Sequence, residues 1–452
     1  EDATAMDFFN AMLAAYDGSV KDMSSKESAG TQFFELMDDY NEFAVGVETG
    51  TSAPNITGIQ KTGDNTFRVV ATKVDAQMIY QLAISVCPLH YYGDKAQYDY
   101  ANNKFGFPKG DLSLVRAKTT KPVGAGPYMF EKYENGVVTM KANPNYFLGE
   151  PKIKNLRMAY INQSDYINSI IAGTADVANP SYTNEIADAI KKANSNGEVS
   201  GDKIYTVAVD AAGYGYVGIN SHNVSVNKEP GSDASKNLRR AFATIFSVYR
   251  DLAVSTYYGD RASVINYPIS NTSWAAPQPT DEGYEIAFSR DVNGDPIYTS
   301  GMTDEEKYAA AKKAALGFFE AAGYKVENGK IVSAPEGAKM EYVVMVPGGG
   351  TGDHPSFMLM TESQKALADI GMKLTINDLT NVADMWNKLE AGQAEIWCAA
   401  WQSTPDPDMY QIYYSDVANG GKQPGGSNDR YQIEDADLDS MIMTARESTD
   451  QE

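Results

Sequence analysis

The phrase Asp-x-x-Asn-x-x-x-Ala-Gly-x-Ala-acid occurs twice, at residues 165–176 and again at 384–395, with Gly173 and Gly392 in matching places. In each copy apolar residues precede the glycine at helical spacing: Ile167, Ile170 and Ile171 in the first, Met385, Trp386 and Leu389 in the second. Glycine enters the left-handed conformation without steric cost, so each copy predicts a helix stopped at its glycine. The short runs just beyond, Ala175-Asp176-Val177-Ala178 and Ile396-Trp397-Cys398-Ala399-Ala400-Trp401, predict strands buried in a sheet. A chain with two such helix-to-strand units far apart is expected to be α/β, with a large lobe built around a sheet.

At 452 residues and 43% hydrophobic, the chain is long enough for two or three domains, each with its own core. Its 38 basic and 60 acidic residues leave a net charge of −22, which repels phosphate backbones and anionic lipid. Nucleic acid is therefore not an expected partner. The 29 tyrosines, 16 phenylalanines and 4 tryptophans suit recognition of peptides or sugars, because a tyrosine ring is apolar while its hydroxyl still hydrogen-bonds, although tyrosine also fills ordinary cores. The two cysteines, Cys87 and Cys398, stand in unrelated contexts and read as buried thiols, giving neither a disulfide framework nor a metal-binding pair. No apolar run is long enough to span a membrane and no signal peptide precedes Glu1, so targeting does not reveal the compartment.

Residues 5–15 and 32–43 form acidic, Met- and Phe-rich helical stretches, while the turn Gly63-Asp64-Asn65 leads into a strand over 65–71. Together, residues 1–115 are expected to form a small α+β subdomain. Further strands are expected at 137–141 and 152–161, the second running into the first repeated helix.

Several motifs then fall in one order: Gly-x-Gly-Pro-Tyr at 124–128, Asn-Pro-x-Tyr-Phe at 143–147, Gly-x-Pro-Lys-Ile at 149–153, the first repeat, Asn-Leu-Arg-Arg-Ala-Phe-Ala at 237–243, Ala-Gly-Tyr at 322–324, and Asp-Pro-Asp at 406–408. This series resembles the extracytoplasmic solute-binding proteins of oligopeptide- and dipeptide-type ABC importers, family 5, over most of the chain. The resemblance implies two α/β lobes of the periplasmic-binding-protein type, closing on ligand by a hinge, with an extra α+β subdomain. Residues 1–115 match that subdomain, 116–160 part of the first lobe, and 161–452 most of the second. It also implies that the chain is truncated at both ends, with the return to the first lobe and a lipid-anchoring N-terminal segment lying outside it. Tyr160-Ile161-Asn162 looks like one hinge crossing, with Tyr160 a candidate ligand contact.

The function implied is capture of oligopeptides outside the cytoplasm, by a monomer needing no cofactor, and delivery to an ABC permease and its ATPase. In such sites an extended peptide is held by main-chain hydrogen bonds beside adaptable pockets. Residues 399–403 are the matching strand, making Ala400, Trp401, Gln402 and Ser403 candidate ligand contacts. Trp401 offers a flat apolar face to a ligand or packs in the core, whereas Trp397 reads as core. Relatives that clamp a peptide amine place an aspartate just after this tryptophan; Thr404 stands there, with Asp406 and Asp408 as substitutes. Asp408 reads as the cap of a helix over 409–414. Arginines that meet a ligand carboxylate in some relatives are replaced by Leu389 and Cys398. Tyr214 and Tyr216 alternate along a strand beside the expected cleft and share a face, one of them open to core packing. Asn271, in Asn-Thr-Ser-Trp at 271–274, resembles a cleft-lining loop and reads equally as surface.

Other solutes, an oligosaccharide or a metal chelate, remain alternatives, with a glycoside hydrolase built on paired carboxylates behind them. Pro347-Gly-Gly-Gly-Thr-Gly352 lacks the Gly-Lys-Ser/Thr ending of a phosphate loop and reads as a strand-to-helix connection. Asp291-Val-Asn-Gly-Asp295 starts like a calcium loop, but Pro296 and Met302 replace the glycine and glutamate such a loop requires, so a turn is expected. The three histidines, His90, His222 and His354, form no zinc motif, and no catalytic or metal-binding residue is assigned.

Overall fold

In the computed structural model, the described residues are 58–448 apart from 72–77, 82–86, 103, 109–110, 112, 162–164, 351, 353 and 416–427. The helices expected at 5–15 and 32–43 lie outside them. The chain divides into two compact units, residues 1–162 with 446–450, and residues 163–445 with 451–452.

The first unit contains the antiparallel hairpin β1 (Ile59–Gly63) and β2 (Thr66–Val69), followed by a three-stranded antiparallel meander of β3 (Tyr128–Glu134), β4 (Val137–Ala142) and β5 (Asn155–Ala159). The β3–β4 turn is Asn135-Gly136, with both residues at positive φ (51° and 76°). That geometry matches the right-handed twist of the flanking strands, and Asn-Gly is the pair that adopts it with least strain.

The second unit is organised around a four-stranded mixed sheet. Its strands are β6 (Gly213–Ile219), β7 (Glu341–Val346), β8 (Lys373–Asp378) and β9 (Ile396–Gln402), in the order β8-β7-β9-β6. β7 runs parallel to both β8 and β9, while β9 and β6 are antiparallel. Helix α3 (Asp233–Val248), which comes after α1 (Tyr166–Ile171) and α2 (Asn184–Ala193), opens on Ser232, whose side chain accepts from the Ser235 amide. Leu238, Ala241, Phe242, Ile245 and Phe246 repeat at helical spacing and are all buried. They form one core with the buried residues of α4 (Arg250–Tyr258), α5 (Asp304–Ala321) and α6 (Pro355–Asp369) and one face of the sheet. At its centre the Phe242 ring meets Tyr342 edge-on at 5.1 Å and Phe319 at 5.5 Å. The opposite face carries a second cluster, in which Met345 and Trp397 from the sheet meet Met385 and Leu389 of α7 (Val382–Glu390), and Tyr431.

The two repeats close identically. Gly173 and Gly392 have φ of 69° and 64°. Each glycine amide donates to the carbonyl three residues back, Ile170 or Leu389, and the next amide donates to the carbonyl five back, Ser169 or Lys388. This is a Schellman stop for α1 and for α7.

Beyond the stops the two copies diverge. The second enters β9, an inner strand, but residues 175–178 form no strand, and Val177 is 87% exposed. The expectation of a strand there is corrected: four residues interrupted by Asp176 find no partner strand among the described residues, and a strand without a partner leaves its main chain to water. Cys398 is buried as expected, its thiol pushed up to about 12 by burial, whereas Cys87 is only half-buried. The glycine-rich run at 347–352 connects β7 to α6, and Asp291 closes a turn by accepting from the Asn293 and Asp295 amides.

Candidate functional site

β9 is paired unequally along its two edges. On the β6 side the ladder is complete, from Ile396 opposite Ile219 to Gln402 opposite Gly213, and it continues as Ser403 N–H donating to the Ala212 carbonyl at 2.8 Å. On the β7 side only Ile396 and Trp397 are paired, and β7 ends at Val346. Among the described residues no strand pairs with that edge from Cys398 to Gln402. This stretch therefore presents main-chain donors and acceptors to an incoming strand.

Residues opposite each other in an antiparallel ladder share a face, so the pairs Trp397–Gly218, Ala399–Tyr216 and Trp401–Tyr214 place all six residues on one side of the sheet. The Trp401 ring stacks on Tyr216, with centroids 5.9 Å apart and planes 8° from parallel. Its indole N–H donates to the Tyr431 hydroxyl at 3.3 Å, and the Trp397 indole donates to the Tyr216 hydroxyl at 3.4 Å. Trp397 is fully buried and its ring covers Gly218, where an added Cβ would lie 2.3 Å from ring carbons. Trp397 is thus core, as expected, and Trp401 is half-buried. Tyr214 lies 6.3 Å from Tyr216, and its buried hydroxyl has no hydrogen-bond partner among the described residues. Burial is the main reason the Tyr214 and Tyr431 hydroxyls are held well above the usual tyrosine range, and it pushes Tyr413 up to about 12. These hydroxyls stay neutral across the physiological range.

The loop beyond β9 is fixed by its own side chains. Gln402 reaches the Ala212 carbonyl at 3.2 Å, and the Thr404 hydroxyl donates to the Asp406 carbonyl at 2.6 Å. Asp408 accepts from the Tyr410 amide at 2.9 Å, just ahead of the short helix α8 (Tyr410–Tyr413). Met409 occupies the N-cap position, so Asp408 secures the helix from one residue earlier than expected. The 271–274 loop meets this segment, since Trp274 donates to the Pro405 carbonyl at 3.3 Å. Asn271 is exposed and donates to Ser263 at 2.8 Å. Ala400 is exposed on the opposite face from Trp401. Tyr160 belongs to the other unit, where it is 87% exposed.

Four residues join this cluster that the sequence did not single out for it. Tyr431, from the short helix α9 (Asn428–Tyr431), lies 5.1 Å from Trp397 and 5.5 Å from Tyr413. The Arg430 guanidinium sits 4.9 Å over Trp386 and 5.9 Å from the Trp401 centroid. Trp386 carried a signal in its helical spacing within the repeat, whereas nothing local marks Tyr413, Arg430 or Tyr431. Flat apolar faces, neutral hydroxyls and main-chain donors and acceptors are means of binding.

The family described as bacterial extracellular solute-binding proteins, family 5 Middle, matches residues 4–423. The oligopeptide-binding protein AppA of Bacillus subtilis (strain 168) is 22% identical over 410 residues, covering 90% of this chain and 64% of the relative, so the chain spans less than two thirds of that relative's length. The solved structure of B. subtilis AppA in complex with a nonapeptide has a TM-score of 0.64 at 18% identity, covering 100% of this chain and 73% of that one. NikZ from Campylobacter jejuni in complex with Ni(L-His) has a TM-score of 0.59, also at 18% identity, covering 90% of this chain and 68% of that one. Both likenesses are of fold, and they agree with the two-lobed α/β class expected from the sequence. The chain belongs to the family 5 bacterial extracellular solute-binding proteins.

Proposed function

We propose that this chain provides the peptide-capturing surface of a binding protein that works outside the cytoplasm and delivers its ligand to an ABC permease and ATPase complex. The observation that carries the reading is the unpaired edge of β9 from Cys398 to Gln402, with Trp401 and Tyr216 stacked on one face of the same strands. An extended peptide can continue the sheet there through its main chain, a mode that tolerates many sequences because side chains are not read in the pairing. Ala400, Trp401, Gln402, Ser403, Thr404 and Asp406 are its proposed contacts, with Tyr214, Tyr216 and Asn271 as neighbouring wall. Family membership supports a binding role over an enzymatic one, and similarity to a protein named for oligopeptide binding supports the ligand class.

Calorimetry with peptides N-methylated at single positions tests the reading. Methyl groups at alternate residues remove the amides aimed at β9 and are expected to weaken binding at least tenfold, while intervening positions are tolerated. Equal affinity across the whole scan would remove main-chain pairing from the account.

A further inference from the structure

A second candidate site lies at the other end of β6. Ile219 is the last residue of that strand and Tyr214 is near its start, which separates them by about 17 Å at about 3.4 Å per residue. Beside Ile219 is a cavity of about 280 Å³, lined by Lys236, Arg239, Arg240 and Ala243 of α3 and by Phe288. It is open to solvent, and its size falls just below the range for small-molecule sites, roughly 300–1,000 Å³.

The charge in this cavity has no ion-pair partner among the described residues. Lys236, Arg239 and Arg240 stand at i, i+3 and i+4 on α3 and bring three cations to one wall of a chain whose net charge is −22. Among the described residues Arg239 donates to neutral acceptors, the carbonyls of Ser221 at 3.2 Å, Val224 at 3.1 Å and Pro230 at 2.8 Å. Those bonds fix its position without neutralising it, and burial pushes its guanidinium down to about 10, still charged at neutral pH. A partly desolvated cation held rigid, with no counter-charge, favours entry of an anion.

The remaining wall is apolar and held in place. Phe288 has a φ of 58°, a conformation that bulky residues avoid. Its turn is pinned on both sides, by the Ala287 amide donating to Asn266 Oδ1 at 3.1 Å and by the Ile297 amide donating to the Ser289 carbonyl at 2.8 Å. Strain maintained by surrounding bonds, with the strained residue lining a cavity, is the pattern of a built site. Phe288, Ile219 and Ala243 offer apolar contact opposite the cations.

We propose that this cavity binds a small organic carboxylate whose apolar body rests on Phe288 and Ile219 while its carboxylate meets Lys236, Arg239 and Arg240. The site is separate from the β9 edge and does not depend on peptide capture there. Calorimetric titrations with 4-methylpentanoate, its neutral isostere 4-methylpentanamide, and inorganic phosphate test the proposal. The carboxylate is expected to bind at least tenfold more tightly than either of the others. The exposed pair Lys236→Gln/Arg240→Gln is expected to weaken carboxylate binding at least tenfold and leave peptide affinity unchanged. Trp401→Ala is expected to leave carboxylate binding unchanged. Phe288→Ala is expected to weaken the carboxylate but not phosphate. Absence of carboxylate binding, equal affinity for the amide, or unchanged affinity in the double variant would each overturn the site. Phosphate binding as tightly as the carboxylate would reduce it to an electropositive surface, which also overturns the proposal.

Discussion

The Trp401 ring lies 8° from parallel with that of Tyr216, its diagonal neighbour across the β9–β6 ladder. One face of the indole is therefore already used within the protein, and its N–H is engaged by Tyr431. The sequence presents structural and binding roles for Trp401 as alternatives; these contacts supply the structural one, and the proposed binding role is compatible with them. Trp401→Ala is expected to weaken peptide binding by about 1–3 kcal/mol, as for a buried aromatic anchor. It is also expected to cost about 0.5–1.5 kcal/mol of stability from the lost ring pair. Calorimetry and ligand-free denaturant melts measure the two effects separately. Lost stability with unchanged affinity would assign Trp401 to the core alone.

Gly218 and Gly215 lie in the same strand and predict opposite outcomes. A Cβ at Gly218 would lie 2.3 Å from the Trp397 ring, while at Gly215 the nearest atom is 3.9 Å away. Because Trp397 is fully buried and cannot swing aside, Gly218→Ala should destabilise by about 1–3 kcal/mol through overpacking. Gly215→Ala should be neutral or slightly stabilising, since alanine restricts the unfolded chain. Urea unfolding of both variants is the check, and equal stabilities would contradict the packing of Trp397 over β6.

The repeat shows what a sequence reveals and where it stops. Both glycines take the left-handed conformation and both helices end in the same hydrogen bonds, because those features depend on a few adjacent residues. Whether a strand forms next depends on an available partner, which β9 has and residues 175–178 lack. The site divides in the same way. Tyr214, Tyr216 and Trp401 are legible because strand alternation assigns their face, and adjacent strands then bring them together. Tyr413 arrives from α8, and Arg430 and Tyr431 from α9, and no local pattern encodes that meeting.

The peptide's N-terminal charge is predicted to matter little. The Thr404 hydroxyl is engaged with the Asp406 carbonyl, and the Asp408 carboxylate accepts from the Tyr410 amide, so two of the side chains near the expected amine position already serve the loop. Acetylating a peptide's N-terminus should cost less than about 1.5 kcal/mol, well below the roughly 2–5 kcal/mol for unpairing a buried charge. A loss of the larger size in calorimetry, abolished in an Asp406→Asn variant, would instead make Asp406 the clamp.

Buried tyrosines predict how the protein fails at high pH. Tyr249, Tyr298 and Tyr413 are each pushed up to about 12, mainly by burial. In the unfolded chain a tyrosine ionises near about 10. Between these values the unfolded state binds fewer protons than the native state, so stability falls as pH rises. The contribution is fully present below about pH 10 and is lost as pH passes through about 12. Alkaline titration followed by tyrosinate absorbance and circular dichroism should show ionisation of these residues coinciding with loss of secondary structure. Replacing Tyr413 by Phe should make the fall shallower over that interval. Complete tyrosine ionisation with the fold intact would show that these hydroxyls are open to water.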